Sequence, residues 1–342
     1  MSWSGLALAV GMLVCFAASF VLTGRLRRYA LSRNLVDEVN PRSSHTRPTP
    51  RGGGIAIVTV SLAGFALALF APELPSRWVW GLLVGGGAVA AIGWIDDHGH
   101  VAARWRMLVH LAAAAWAVAF IGPLPLGEVL PQAAVPAITW PLSILMVGWL
   151  VNVFNFMDGI DGIAGSETAS AALFGALILL ASGSGDPVLA WPWLALAAST
   201  LGFLAWNWPP AKIFMGDAGS GFIGYVLAAL VLIAGSIDAA LGVAMAILLA
   251  LFLCDASVTL IRRMLRRDPL HQAHRTHAYQ LVARRVGHRP VTVAFIALNM
   301  IFLLPLAWLV AAGSLSPLVG ATAAYAPLAL AAWLLGGGRA EA

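Results

Sequence analysis

Five aspartates and a row of histidines stand where long apolar runs begin or end. Asp96-Asp97 closes one run, and Asn152-Val153-Phe154-Asn155-Phe156-Met157-Asp158-Gly159-Ile160-Asp161-Gly162 closes another. Phe214-Met215-Gly216-Asp217-Ala218-Gly219-Ser220 opens a third, and His271, His274 and His277 follow a fourth. Carboxylates gathered at one site repel: two charges about 4 Å apart at an effective dielectric of about 20 cost roughly 4 kcal/mol. A shared cation removes that cost. Carboxylate, amide and water oxygens without cysteine suit a hard ion, Mg²⁺ first and Mn²⁺ as its substitute. Asn155 and Asp158 share a helix face if that segment is helical, and Gly159 and Gly162 predict a break after it. If a helix continued through the histidine row, adjacent pairs there would also share a face.

A second anionic preference lies nearer the N-terminus. The stretch Arg42-Ser43-Ser44-His45-Thr46-Arg47-Pro48-Thr49-Pro50-Arg51-Gly52-Gly53-Gly54 puts basic groups and a glycine run just before a helix. Amides freed by glycine at a helix N-terminus favour phosphate. It is not a Walker loop, because no Gly-Lys-Ser/Thr follows. Taken singly, each motif has an ordinary explanation: a solvated helix end, Asp-Gly turn chemistry, a solvated loop histidine. Their common side of a membrane is what those explanations leave out.

The elements that must position these groups are membrane helices. Hydrophobic residues make up 60% of the chain and charged residues 10%, with a mean hydropathy of +0.86. A soluble domain carries about 25% charged residues, so this chain lacks the polar surface to stay in water. The apolar runs lack strand-like alternation, which predicts an all-α polytopic membrane protein, a single domain over 1–342. Eleven runs are long enough: 3–24, 54–71, 78–95, 105–122, 138–154, 163–181, 189–206, 219–236, 239–261, 290–311 and 317–335. The first is too long for a signal peptide and has no basic stretch before it, so it is read as a retained helix. With the loop 25–53 in the cytoplasm, nineteen of the twenty Lys and Arg fall inside and only Arg77 falls outside. The N-terminus is then outside and every motif faces the cytoplasm. The net charge of +5 is accounted for by these short basic loops, so no nucleic-acid partner is expected. Cys15 and Cys254 lie inside apolar runs and form no metal or redox motif.

Together the motifs resemble the polyprenyl-phosphate N-acetylhexosamine-1-phosphate transferase family (glycosyltransferase 4-like). The Pro-Thr-Pro-Arg-Gly-Gly loop, the Asp-Asp pair, the Asn-x-x-Asn-x-x-Asp-Gly-x-Asp-Gly and Phe-Met-Gly-Asp-x-Gly-Ser segments and a late histidine segment occur in family order. Eleven spans resemble the O-antigen-initiating branch more than the ten-span peptidoglycan branch. The resemblance implies transfer of N-acetylhexosamine 1-phosphate from a UDP-sugar to undecaprenyl phosphate, with release of UMP, in the bacterial inner membrane. It implies Mg²⁺ held by Asp217 and Asn155, Asp96 with Asp97 acting near the acceptor phosphate, and Asp158 and Asp161 holding the metal and nucleotide-sugar geometry. His45, Arg51, Asn152, Arg275 and His277 are the implied substrate contacts. One departure stands out: relatives often carry His-x-His-His, whereas Ala278-Tyr279-Gln280 follows His277 here. Within this chemistry the alternative is phospho-N-acetylmuramoyl-pentapeptide transfer. Outside it, a transporter is the rival, and that would place ionisable groups near mid-span on broken helices. A homodimer is among the assemblies considered.

The arginine bias yields a topological prediction. In a chain freed of its native cysteines, single cysteines placed at His45, Asp97, Asp158, Asp217 and His277 should resist a membrane-impermeant thiol reagent in intact cells. A cysteine beside Arg77 should react. External labelling at two motif sites would reverse the layout.

Overall fold

The computed structural model describes residues 4–33, 35–37, 48–99, 101–126, 131, 134–183, 186–269 and 274–340. Its helices are α1 (Gly5–Ser32), α2 (Ile55–Phe70), α3 (Ser76–His98), α4 (Ala103–Ile121), α5 (Val135–Met157), α6 (Ile163–Ser182) and α7 (Pro187–Asn207). They continue as α8 (Asp217–Ile237), α9 (Ala239–Ile247), α10 (Ala250–Leu265), α11 (Ala278–Val286), α12 (His288–Ala311) and α13 (Pro317–Leu334). Among the described residues nine helices are long and apolar enough to cross a membrane. The pair α9 and α10, bent by 69°, makes a tenth, and α2 is apolar but shorter. All eleven predicted runs therefore fall on helices.

Two elements were not anticipated. Val36–Asp37 (β1) pairs antiparallel with Thr49–Pro50 (β2), with Val36 opposite Pro50 and Asp37 opposite Thr49. The late basic loop also contains α11, while the described residues just before it, His274 to His277, are not helical. Helical spacing therefore does not carry from His274 to His277, although their rings still stack at 5.0 Å.

The core sits on α8. Its sequence after Asp217 holds no charge and is apolar all round, which suits a helix enclosed by others. It packs against α3, α5 and α9, while α7 packs between α1 and α6. Lipid tails are as apolar as leucine, so close packing and internal hydrogen bonds hold such a bundle together. The outer helices present apolar side chains outward, among them Leu6, Leu13, Leu318 and Leu334.

Buried polar links tie these helices. Trp191 Nε1 donates to the Gly64 carbonyl (2.7 Å), and Asn299 Nδ2 donates to Glu167 Oε2 (2.6 Å). Glu167 was not singled out in the sequence, because it lies inside an apolar run rather than at its end. Within α3 the stretch Gly81–Gly85 is a π-turn, whose wider hydrogen-bonding leaves a carbonyl for another partner. The buried Tyr225 hydroxyl on α8 donates to that Gly81 carbonyl at 2.8 Å. Tyr225→Phe should therefore destabilise the bundle by about 1 kcal/mol. Thermal unfolding in detergent would register this as a lowered Tm.

Candidate functional site

The site is assembled at one end of α8. A helix start leaves backbone N–H groups without partners, and a buried start needs them satisfied from elsewhere. Asp97, at the end of α3, supplies both its carboxylate oxygens. Oδ1 accepts from the N–H of Asp217 (3.1 Å) and Oδ2 from the N–H of Ala218 (3.2 Å). Gly216 makes room for this contact. Its φ is +81°, and a Cβ there would stand 2.7 Å from Asp97 Oδ2.

The glycine-rich loop braces the same turn from the other side. The Phe214 N–H donates to the Pro50 carbonyl (2.8 Å), Gly53 N–H to Phe214 (2.9 Å) and Gly54 N–H to Met215 (2.8 Å). Gly54 approaches Gly219 so closely that a Cβ on it would lie 2.5 Å from the Gly219 Cα. Arg51 from this loop donates to the Asp97 carbonyl oxygen at 2.6 Å. The loop therefore joins α3 and the α8 turn as well as offering a cation beside them.

Asp96 has different partners from its neighbour. Its Oδ1 accepts from the Val101 N–H (2.8 Å), and its Oδ2 pairs with Arg106 at the start of α4. The same Arg106 Nη1 reaches Asp217 Oδ2 at 3.2 Å. Sequence reasoning used Arg106 only as a marker of topology. Its position, one short loop after the Asp96-Asp97 pair and on the same side, was the signal that could have found it.

The third motif breaks where its glycines said it would. α5 ends at Met157, Asp158 occupies the cap, and Gly162 has a φ of +76°. Asn155 Nδ2 reaches Ser220 Oγ at 3.3 Å, on the first turn of α8 that Asp217 opens. Asn152 turns to its own helix, donating to the Gly148 carbonyl at 2.7 Å. Burial pushes the Asp158 carboxyl well above the usual carboxylate range, and the charges of Asp217, Asp161 and Asp97 push it further. Asp161 is anchored: Oδ2 accepts from the Ala211 N–H (3.0 Å) and lies 3.3 Å from His288 Nδ1. Its carbonyl accepts from Thr292 Oγ1 (2.9 Å), and the next residue, Gly162, donates its N–H to Asn207 Oδ1 (3.0 Å). Asn207, His288 and Thr292 were not foreseen.

Asp96, Asp97, Asn155, Asp158, Asp161 and Asp217 are thus brought to one end of the bundle. His277 is buried, with Nδ1 3.3 Å from Asp255 Oδ1, and Arg275 precedes it in the same non-helical stretch. His45 and His271 lie outside the described residues.

Residues 79–235 match the family model described as Glycosyl transferase family 4. A Bacillus subtilis protein described as a probable undecaprenyl-phosphate N-acetylglucosaminyl 1-phosphate transferase is 29% identical over 314 residues. That alignment covers 86% of this chain and 83% of the relative. The decaprenyl-phosphate N-acetylglucosaminephosphotransferase of Mycobacterium leprae is 36% identical, over 65% of this chain and 58% of its own length. The phospho-N-acetylmuramoyl-pentapeptide-transferase of Trichormus variabilis is 32% identical, over 69% of this chain and 68% of its own. The chain belongs to the polyprenyl-phosphate N-acetylhexosamine-1-phosphate transferase family.

In this transferase the matched region runs from α3 through α8, the helices that carry the three carboxylate-bearing turns. The transporter alternative falls away with it. The two aspartates of the pair differ in what they hold: Asp97 caps a helix, whereas Asp96 meets Arg106. Asp97→Ala should therefore lower stability by about 1–2 kcal/mol, the usual cost of a lost N-cap, and Asp97→Asn by less. Asp96→Ala should change Tm little. Thermal scans of the three purified variants separate the two roles.

Proposed function

We propose that this transferase moves N-acetylhexosamine 1-phosphate, with N-acetylglucosamine the first candidate, from its UDP-sugar to undecaprenyl phosphate at the cytoplasmic face. An oxygen of the lipid phosphate attacks the β-phosphorus of the UDP-sugar, the α–β phosphoanhydride bond breaks, and UMP leaves. The observation that carries this reading is the convergence of Asp96, Asp217, Asn155 and Arg106 at the start of α8, beside the Asp158 turn. The names of the Bacillus and mycobacterial relatives support the sugar and the prenyl carrier.

The donors suit a hard divalent cation: Asn155 stands against the first turn of α8, which Asp217 opens, and Asp158 stands within the field of Asp217. Among the described residues no three His, Cys, Asp or Glu side chains make a ready cage. A cation held here would complete its shell with water and substrate phosphate oxygens, which is how Mg²⁺ is usually held. When bound, Mg²⁺ neutralises charge on the diphosphate and orients it. The chain's own residues do the rest. Arg106 and Arg51 offer cationic donors to phosphate oxygens, and Asp96 stands where a proton on the acceptor phosphate would be received. The acceptor is already anionic near neutral pH, so positioning and charge balance outweigh proton transfer.

The test is UMP release by purified protein in detergent with undecaprenyl phosphate. UDP-N-acetylglucosamine should be turned over, and UDP-N-acetylmuramoyl-pentapeptide should not; the reverse preference would favour the peptidoglycan reaction. Activity should vanish with EDTA and return with Mg²⁺ or Mn²⁺. Asp217→Asn should lower kcat by about 100-fold or more with Tm retained. Full turnover after exhaustive chelation would remove the cation from the account.

A further inference from the structure

A second buried carboxylate repeats the device that Asp97 uses. Asp255 lies on α10, is almost wholly buried, and faces the first turn of α11. Its Oδ1 accepts from the Ala278 N–H (2.9 Å) and from Thr259 Oγ1 (3.2 Å), and its Oδ2 from the Tyr279 N–H (2.8 Å). The remaining neighbour is His277 Nδ1, 3.3 Å from Oδ1. A buried carboxylate is tolerated when donors surround it, and this one has three besides the ring. An ionised carboxylate only accepts, so the imidazole nitrogen that meets it must carry the proton. The contact therefore selects one tautomer, with hydrogen on Nδ1 and Nε2 left bare.

The ring's position is fixed along with its tautomer. The Tyr279 hydroxyl donates to the Phe156 carbonyl at 3.1 Å, joining α11 to the last turn of α5. A Cβ on Gly159 would lie 2.2 Å from that hydroxyl and 2.6 Å from Gln280 Nε2, so both side chains sit on the Asp158-Gly159 turn. Burial and the charges of Asp255 and Asp158 hold the Tyr279 phenol well above its usual range, so it remains a donor. The two residues standing where relatives often carry histidine thus dock α11, and His277 is left as the imidazole of that pattern. Around its ring stand Asp255 from α10, His274 from the preceding stretch, Tyr279 from α11 and Phe156 from α5.

We propose that Asp255 is a positioning residue of the transferase, holding His277 in the Nδ1–H tautomer so that Nε2 is presented as an acceptor to an O–H or N–H group of the nucleotide sugar. In that tautomer Nε2 is the ring's acceptor, and the carboxylate behind the ring holds it in one orientation. One carboxylate therefore sets the start of α11, the tautomer and the ring's distance from the Asn155–Asp158 segment. The inference rests on the reading that His277 meets the substrate.

The tautomer can be read without activity. Protein labelled with ¹⁵N in its imidazoles is examined by NMR in detergent micelles at about pH 8, where imidazole is mostly neutral. His277 is assigned from the signal lost in H277Q. The wild-type ring should carry its hydrogen on Nδ1. In D255N the amide oxygen can still cap α11 while its NH₂ faces the ring, so the hydrogen should move to Nε2. At matched folded protein, D255N should raise the KM for the UDP-sugar about tenfold or more with a smaller change in kcat, the scale of a lost orienting partner. D255A also removes the cap, so D255N is the informative variant. A wild-type ring protonated on Nε2, or a folded D255N with unchanged tautomer and KM, would overturn the proposal. A kinetically silent H277A would overturn the substrate contact itself, and the NMR result would still decide what Asp255 does to the ring.

Discussion

Asp97 accepts the first two free amides of a helix that lies almost entirely inside the bundle, and the remaining contacts of the site follow from that bond pair. A buried helix start cannot turn to water for its hydrogen bonds, so a partner must come from another helix. By supplying it, Asp97 fastens α3 to α8 and fixes Asp96 beside it. Arg106 at the start of α4 can then span Asp96 and Asp217. The glycine loop closes the other side, with Arg51 on the Asp97 carbonyl and three backbone bonds along Pro50–Gly54. Asp255 does the same for α11, so both ends of the site are organised by a carboxylate reaching across to a neighbouring helix start.

Charge balance divides the aspartates into two kinds. Asp97 and Asp255 have both oxygens taken up by backbone donors and Asp161 has one, and they shape the site. Asp96 and Asp217 share one guanidinium, and Asp158 sits among like charges. That second set carries more negative charge than Arg106 offsets. An added cation and the phosphates it brings would complete the balance, which is why the chemistry is assigned to this end of α8.

Much of this was legible in the chain. Span positions followed from apolar runs, and the break after Met157 followed from Gly159 and Gly162. That the carboxylate motifs share a side followed from counting spans. What stayed hidden was pairing across distance. Nothing near Asp97 in sequence says that its partners are the amides of residues 217 and 218, since backbone N–H groups carry no sequence signature. Asp255 and Glu167 were concealed because they lie within apolar helices rather than at their ends. Tyr279 and Gln280 stood out only as a departure from the family's histidine pattern. Their docking onto Gly159 depends on a helix, α11, that a short basic segment did not announce.

The central claim is that the sugar and the phosphate next to it leave together. The most direct measurement uses UDP-N-acetylglucosamine carrying ³²P at the β-phosphate, with purified protein, undecaprenyl phosphate and Mg²⁺. The account predicts that the label passes into the lipid fraction while unlabelled UMP accumulates. Label retained in the aqueous phase as UDP, with sugar alone on the lipid, would contradict it.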